Sequence, residues 1–84
     1  MAGARLADAS FKHAKMAGTN LAGADLAGAD LSGATMQNTS FKSAQMRQAN
    51  LSAAFMGGAD FTDAVLADAS LDGTNLPGAS FMRA

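Results

Sequence analysis

The sequence predicts an all-β solenoid, a chain wound into about four coils of 20 residues around an apolar axis. Two observations lead to this prediction. A large apolar residue stands at every fifth position, and alanine or threonine stands two residues before each of them. A five-residue period suits neither an α-helix, which repeats every 3.6 residues, nor a strand, which repeats every two. A square coil with four five-residue sides satisfies both observations, because every large residue then faces the axis.

The large residues are all leucine, phenylalanine or methionine. They are Met1, Leu6, Phe11, Met16, Leu21, Leu26, Leu31, Met36, Phe41, Met46, Leu51, Met56, Phe61, Leu66, Leu71, Leu76 and Phe81. On a helical wheel each step of five residues turns by about 140°, so these side chains scatter around the whole circumference and leave no face to bury. On a strand the odd step sends successive large residues to opposite faces. A solenoid of stacked turns, in which each coil contacts its neighbours, avoids both conflicts.

The alanine or threonine two residues earlier is also predicted to point inward, where the large side chains leave little volume. Leucine at such a position is expected to overpack the axis. Threonine, found at Thr19, Thr39 and Thr74, adds a hydroxyl that is expected to bond nearby backbone.

Residues 20 positions apart are predicted to stack into columns, because four five-residue sides complete one coil. Two such columns are proposed as structural core: Leu21, Phe41, Phe61 and Phe81, and Met16, Met36, Met56 and Leu76. Stacked aromatic rings favour the first column. Flexible thioethers that fill irregular gaps account for the second. We interpret the methionines as core packing rather than as a soft-metal site, because no cysteine or histidine shares their column.

Glycine is concentrated two residues after the large position, which predicts a tight turn at each corner. A type II turn needs a positive φ at its third residue, and the Pro77-Gly78 pair is favoured at the centre of such a turn. Aspartate or asparagine often comes directly before the large residue, as at Asp25 and Asn50. We interpret these short polar side chains as local backbone partners rather than as catalytic acids.

The units ADLAG, ADLSG, ANLSA and ADFTD resemble the pentapeptide-repeat family, whose pattern is A(D/N)LXX. The resemblance covers essentially all of residues 1–84, which are expected to form a single solenoid domain. It implies a right-handed quadrilateral β-helix. No capping helix is expected at either end.

The composition argues against several partners and compartments. Six lysine and arginine residues against seven acidic residues give a net charge of −1, which does not favour nucleic acid or an anionic membrane. No signal peptide and no apolar run of about 20 residues is visible, so a cytoplasmic location is expected by default. The absence of cysteine leaves no disulfide and no thiolate site.

Three apolar residues stand at outward positions and are candidate protein contacts: Phe55, Val65 and Met82. Phe55 is the largest of them. Because outward positions of a solenoid are expected to be polar, an aromatic residue there is a candidate anchor for a partner or for a second copy.

Charges of opposite sign are predicted near the two ends of the solenoid. The basic group consists of Lys12, His13 and Lys15, and the acidic ribbon consists of Asp60, Asp63, Asp68 and Asp72. Opposite signs at opposite ends weakly favour head-to-tail contact.

Catalysis is not expected. His13 has no serine or cysteine nucleophile arrangement to act on, and no phosphate-binding loop, cofactor site or metal site is predicted. We expect a non-enzymatic structural or interaction solenoid that stacks end to end with itself or binds another protein. The alternative that the resemblance raises is a DNA mimic that binds DNA gyrase, a type II topoisomerase. The nearly neutral charge, and the lack of a loop or cap, argue against that alternative.

Overall fold

The computed structural model describes residues 2–79 and 81, which form a right-handed quadrilateral β-helix, as predicted. Isolated parallel bridges join residues 20 positions apart, from Arg5–Asp25 to Phe55–Asn75. Between residues 2 and 79 the chain contains no helix and no strand longer than one bridge residue. We number the coils 1 to 4 as residues 4–23, 24–43, 44–63 and 64–83.

The bridge residues define four faces. Face 1 contains Arg5, Asp25, Gln45 and Val65; face 2 contains Ser10, Asp30, Asn50 and Ser70; face 3 contains Lys15, Thr35, Phe55 and Asn75; face 4 contains Asn20, Ser40 and Asp60. Two turn residues follow each large residue and form a corner. Corners 1, 2 and 3 each follow the face of the same number, and corner 4 joins face 4 to face 1. The molecule measures 24 × 24 × 23 Å.

Three backbone hydrogen bonds per unit hold adjacent coils together. Asp25 N–H donates to the Ala4 carbonyl of the previous coil at 2.9 Å, and Leu26 N–H donates to the Gln45 carbonyl of the next coil at 2.7 Å. Gly28 N–H also donates to a carbonyl one coil further on, at 2.8 Å. The coils therefore stack as in a parallel sheet, but in segments of one bridge residue.

The corner of the same unit uses the remaining backbone donors. Ala29 N–H closes the turn on the Leu26 carbonyl at 3.0 Å, with φ of 68° at Gly28, which is the type II pattern predicted from glycine. Ala27 N–H is capped by Asp25 Oδ1 at 3.1 Å. Every backbone N–H of this unit therefore has an acceptor, and the aspartate or asparagine before the large residue supplies one of them.

The left-handed corner conformation does not depend on glycine. Eight other residues at this position have φ between 58° and 61°: Asp8, His13, Asn38, Ser43, Gln48, Ala53, Asp63 and Asp68. Most are polar, and aspartate and asparagine tolerate this region best among them. Alanine at position 53 has no side-chain hydrogen bond to offset the strain.

Ala53→Gly is therefore expected to raise the free energy of unfolding by about 0.5–1 kcal/mol. Left-handed backbone costs a non-glycine residue roughly 1–2 kcal/mol, while the extra freedom of glycine in the unfolded chain offsets about 0.4–1 kcal/mol of that gain. Urea unfolding measures the difference. Ala54→Gly is the matched control, because Ala54 is buried and its loss should destabilise the protein. A lower stability for Ala53→Gly would contradict the corner geometry.

The core is the axis of coils 2 and 3, together with Leu21 at the end of coil 1 and Ala64 at the start of coil 4. Large and small inward residues alternate there, and all are buried: Leu21, Ala24, Leu26, Ala29, Leu31, Ala34, Met36, Thr39, Phe41, Ala44, Met46, Ala49, Leu51, Ala54, Met56, Ala59, Phe61 and Ala64. Both inward positions of the five-residue period thus face the axis.

The predicted phenylalanine column is present. The rings of Phe41 and Phe61 stack with centroids 4.9 Å apart and planes 4° apart, and Phe61 and Phe81 repeat this geometry. Phe81 is nevertheless 39% exposed, because no described coil covers its second side. Met16 and Leu76, also proposed as core, are half-buried in coils 1 and 4 for the same reason.

Threonine at the small inward position finds a backbone acceptor. The hydroxyl groups of Thr19 and Thr39 donate to the Met16 carbonyl at 2.6 and 3.2 Å, and that of Thr74 donates to the Leu51 carbonyl at 2.6 Å. No buried side-chain nitrogen or oxygen in the described residues lacks a hydrogen-bond partner. Threonine therefore replaces alanine without leaving an unpaired hydroxyl at the axis.

Candidate protein-interaction surfaces

The two end coils expose apolar side chains that the central coils bury. In coil 4 Leu71 is 36% exposed, and Phe81 lies on the same end. In coil 1 Leu6, Phe11 and Met16 pack against the core on one side and are half-buried. Each end thus presents a cross-section of the core to its surroundings.

The edges of these coils also carry complementary backbone groups. The N–H groups of Leu66 and Leu71 have no acceptor among residues 2–79 and 81, and the carbonyls of Arg5 and Ser10 receive no donor from them. Inside the solenoid these two kinds of group pair with each other, as Leu6 N–H does with the Asp25 carbonyl at 2.7 Å. One end therefore offers donors of the kind that the other end can accept.

Phe55 lies on face 3 and is 48% exposed. Its bridge partners on that face are Thr35 and Asn75, and Lys15 lies at the coil 1 end. The adjoining corner 3 consists of residues 17–18, 37–38, 57–58 and 77–78, which are uncharged and include four glycines. We call this combination of face 3 and corner 3 the face 3 surface.

The other two candidate contacts do not join Phe55. Val65 lies on face 1, on the opposite side of the solenoid, and is half-buried beside its bridge partner Gln45. Met82 lies outside the described residues. The structure therefore does not gather the three predicted contacts into one patch.

The basic residues lie together in coil 1, where Lys12, His13 and Lys15 are all exposed. The acidic residues, in contrast, are spread around the axis. Asp60 lies on face 4, and the other three lie on different corners: Asp63 on corner 4, Asp68 on corner 1 and Asp72 on corner 2. The predicted ribbon follows the chain but forms no single acidic patch.

A shallow groove runs along corner 1, which the sequence pattern did not single out. It is lined by Ala7, Asp8, Ala27, Gly28, Arg47, Gln48 and Asp68. The Asp8 side chain lies over Gly28, because a Cβ at position 28 would clash with Asp8 Oδ1. The groove could have been predicted from the 20-residue register, which stacks Asp8, Gly28, Gln48 and Asp68. Its mixed charges select no one class of ligand.

Two aspartates have pKa values lowered by the turn that they cap. The Ser32 hydroxyl and then the Ser32 N–H, at 2.6 and 3.0 Å, lower the pKa of Asp30 below its usual 3.8. The Thr62 hydroxyl and N–H lower the pKa of Asp60 in the same way. Both carboxylates act as structural acceptors, in agreement with their interpretation from the sequence.

This arrangement predicts loss of stability in acid. The pKa of Asp30 and of Asp60 is lower in the folded protein than in the unfolded chain. Their contribution to the free energy of unfolding is therefore present above about pH 3.8, and it is lost as pH falls through that value and then through the lower folded pKa. Thermal unfolding from about pH 7 to about pH 2.5 measures the effect. The double variant Asp30→Asn, Asp60→Asn keeps an oxygen acceptor but cannot titrate, so its midpoint should fall less in acid. An equal fall in both proteins would contradict the prediction.

The described residues contain no helix that is long and apolar enough to cross a membrane. They also contain no group of three or more histidine, cysteine, aspartate or glutamate side chains that could hold a metal ion.

The coil geometry and the repeat agree with a known family. A family model described as the pentapeptide repeat region matches residues 4–81. The chain belongs to the pentapeptide-repeat family. No curated protein sequence matches it significantly.

Three solved pentapeptide-repeat proteins are similar to this chain. One from the cyanobacterium Cyanothece is 30% identical over 89% of this chain and 52% of its own, with a TM-score of 0.88. One from the Arabidopsis thaliana thylakoid lumen is 27% identical over 98% of this chain and 57% of its own, with a TM-score of 0.71. HetL from Nostoc, a protein involved in heterocyst differentiation regulation, is 36% identical over 92% of this chain and 38% of its own, with a TM-score of 0.57.

The chain spans between 38% and 57% of the length of these three solved pentapeptide-repeat proteins. They establish the fold and the family. Because one of them comes from the thylakoid lumen, the cytoplasmic location expected from the sequence stays a prediction.

Proposed function

We propose that this chain is a non-enzymatic interaction solenoid that associates with itself head to tail, with coil 4 of one copy stacked on coil 1 of the next. The observation that carries this proposal is the complementarity of the two end coils. One end has unpaired N–H donors at Leu66 and Leu71, and the other has unpaired carbonyls at Arg5 and Ser10, as judged among the described residues. In this proposal residues 1–84 form one solenoid domain.

The polarity follows from the ladder. A large residue always donates its N–H to the next coil and the carbonyl two residues before it accepts from the next coil, so each end carries both kinds of group, and two identical ends would meet in an antiparallel register that the chain does not use. A head-to-tail contact instead continues the pattern that Leu26 N–H and the Gln45 carbonyl already make inside the chain. Such a contact is heterologous, and it leads to short open stacks or filaments rather than to a closed dimer.

Apolar burial supports the same contact. Leu71 and Phe81 on one end would be covered by half-buried Leu6, Phe11 and Met16 on the other. This contact would cover the apolar surface that is exposed at the two ends and that neighbouring coils already cover in the central coils. Because both ends are apolar at the axis and complementary at the edge, a second copy is the occupant that fits them best.

Charge adds a weaker preference for this orientation. Lys12 and Lys15 are exposed on coil 1, and Asp68 and Asp72 are exposed on coil 4. A head-to-tail contact brings these opposite signs toward one another, so the association is expected to weaken as salt concentration rises.

The test is the mass in solution, measured by light scattering after size exclusion at protein concentrations from about 10 µM to about 1 mM, the range in which weak contacts operate. The mass is expected to rise above 8.4 kDa with concentration, and electron microscopy of the same fractions should show stacks. Leu71→Asp is expected to form no stacks and no species larger than two chains. Gln45→Asp, which adds a charge on exposed face 1, is the control and should associate like the original protein.

Two results would refute the head-to-tail proposal. The first is a mass of one chain at every concentration. The second is an unchanged association of Leu71→Asp in a variant whose thermal unfolding shows that it is folded.

The DNA-mimic alternative receives no support from the described surface, because acidic residues are spread over several corners among basic ones. We therefore expect no change in DNA supercoiling by gyrase at high molar excess of this protein. Inhibition would favour the DNA-mimic hypothesis.

A further inference from the structure

We propose that the face 3 surface is a second association site, on which two copies of this chain pair side by side with their coil axes antiparallel. This site does not use Leu71, Phe81 or the unpaired end-coil backbone groups that carry head-to-tail stacking, although Lys12, Lys15 and Asp72 contribute charge to both contacts. Its occupant is a second copy of the same chain, and its anchor is the Phe55 ring.

The face 3 surface combines one exposed aromatic ring with few charged side chains. Phe55 is the one exposed large apolar residue of coils 2 and 3 among the described residues. Lys15 is the only charged side chain that the described part of this surface contains. Aromatic residues are enriched and charged residues depleted at the centres of protein interfaces. The other three faces each carry an acidic residue in coil 2 or coil 3, at Asp25, Asp30 and Asp60.

Most residues of corner 3, beside the Phe55 ring, have a short side chain or none. Gly57, Gly58 and Gly78 have no side chains there. Asn38 is folded along the corner, because a Cβ at position 58 would clash with Asn38 Oδ1. Gln37 is the one long side chain in the described part of this corner, so a flat partner can approach the glycines closely while the ring supplies the contact.

The antiparallel orientation follows from two-fold symmetry and charge. With the axes antiparallel, coil 1 of one copy lies opposite coil 4 of the other, and coil 2 lies opposite coil 3. Each Phe55 then faces Thr35 of the second copy, a smaller residue on the same face. At corner 2, which borders face 3, exposed Lys12 comes opposite exposed Asp72 of the second copy, and symmetry makes this pair twice.

The parallel orientation is disfavoured by the same residues. A two-fold axis along the solenoid places coil 1 opposite coil 1, so Lys15 of each copy faces Lys15 of the other. Like charges placed directly opposite one another oppose association. The Lys12–Asp72 pairs are also lost, because corner 2 of one copy then faces corner 3 of the other.

The area of face 3 limits how strongly the two copies are expected to bind each other. A face of 24 by 23 Å offers roughly 550 Å² per copy, against about 800 Å² per partner in a stable interface of standard size. The side-by-side pair is therefore expected to be weak and to depend on protein concentration.

Cysteine trapping tests this pairing directly, because the chain has no cysteine of its own. We would prepare Lys15→Cys and Asn75→Cys separately, each together with Leu71→Asp because head-to-tail stacking would also bring positions 75 and 15 together, and oxidise each alone and as an equal mixture. The antiparallel pair brings position 15 of one copy to position 75 of the other, so a disulfide-linked dimer should form at least several-fold faster in the mixture. Adding Phe55→Ser to both proteins should remove most of that difference.

A charge exchange supplies the second test. Lys12→Asp should reduce trapping in the mixture, because a carboxylate at position 12 then opposes Asp72 of the second copy, and adding Asp72→Lys should restore it. The proposal is overturned if Lys15→Cys alone links as fast as the mixture, if the mixture does not link, or if Phe55→Ser has no effect. Failure of the end-coil variants alone would instead refute head-to-tail stacking.

Discussion

Phe61→Ala is expected to lower the free energy of unfolding by about 3–5 kcal/mol, as for other buried phenylalanines. Phe61 is fully buried, and it lies between two parallel rings, Phe41 and Phe81, each 4.9 Å away. Truncation would open a cavity at the centre of the column and remove both stacking contacts. Because small domains are stable by about 5–15 kcal/mol in total, this one change is expected to remove a large share of the stability.

Urea unfolding followed by circular dichroism measures this loss. Phe55→Ala is the matched control, since it removes the same ring from an exposed position in the same coil. Its effect is expected to stay within about 0.5 kcal/mol at low protein concentration. Equal losses for the two variants would mean that the large residues do not face a common axis.

Ala29→Leu has the second largest expected effect. Ala29 is fully buried between the large residues Leu26 and Leu31 of its own coil, its N–H closes the turn on the Leu26 carbonyl, and its carbonyl accepts the N–H of Asn50 in the next coil. Three added carbon atoms have no free volume at the axis, so overpacking is expected to cost about 1–3 kcal/mol. The backbone cannot move aside without breaking hydrogen bonds to the neighbouring coils.

Thermal unfolding of Ala29→Leu measures this cost. Ala67→Leu is the control, because Ala67 is an exposed corner residue outside the axis. The control midpoint should change little, whereas that of Ala29→Leu should fall by several degrees. An unchanged midpoint for Ala29→Leu would show that the small residues do not point inward.

The repeat alone was sufficient to predict the coil, because two of the five positions are restricted to residues that suit the axis. The 20-residue register followed from geometry, and it correctly placed Phe41, Phe61 and Phe81 in one column. The role of aspartate before the large residue was also accessible, since a short carboxylate there reaches a nearby N–H. Asp25 and Ala27 show that contact.

The surface was less predictable, because the three outward positions are not restricted in the same way. Glycine suggested a turn at some corners, but the left-handed conformation of His13 and Ala53 follows from closure of the coil rather than from their own preferences. The acidic residues near the C-terminus looked continuous in sequence, yet each step of five residues moves a side chain to another face. Proximity along the chain is therefore a poor guide to patches on a solenoid.

The candidate sites depend on relations between coils that a repeat pattern does not display. The donor and acceptor edges became apparent from the direction of the ladder, in which Leu26 N–H bonds forward and Asp25 N–H bonds backward. Phe55 was visible in the sequence as an exception. The scarcity of charged residues around Phe55 was not visible, because the corner residues that surround it are 20 positions apart in the sequence.

Hydrogen exchange at increasing protein concentration tests the central claim most directly, namely that the end coils are association surfaces and the central coils are the stable core. The hydrogen-bonded amides of residues 24–59 should exchange slowly at every concentration. Amides near Leu66 and Leu71, which have no acceptor among the described residues, should exchange fast in dilute protein and become protected as concentration rises. Exchange at these end amides that is independent of concentration, up to about 1 mM, would contradict the account.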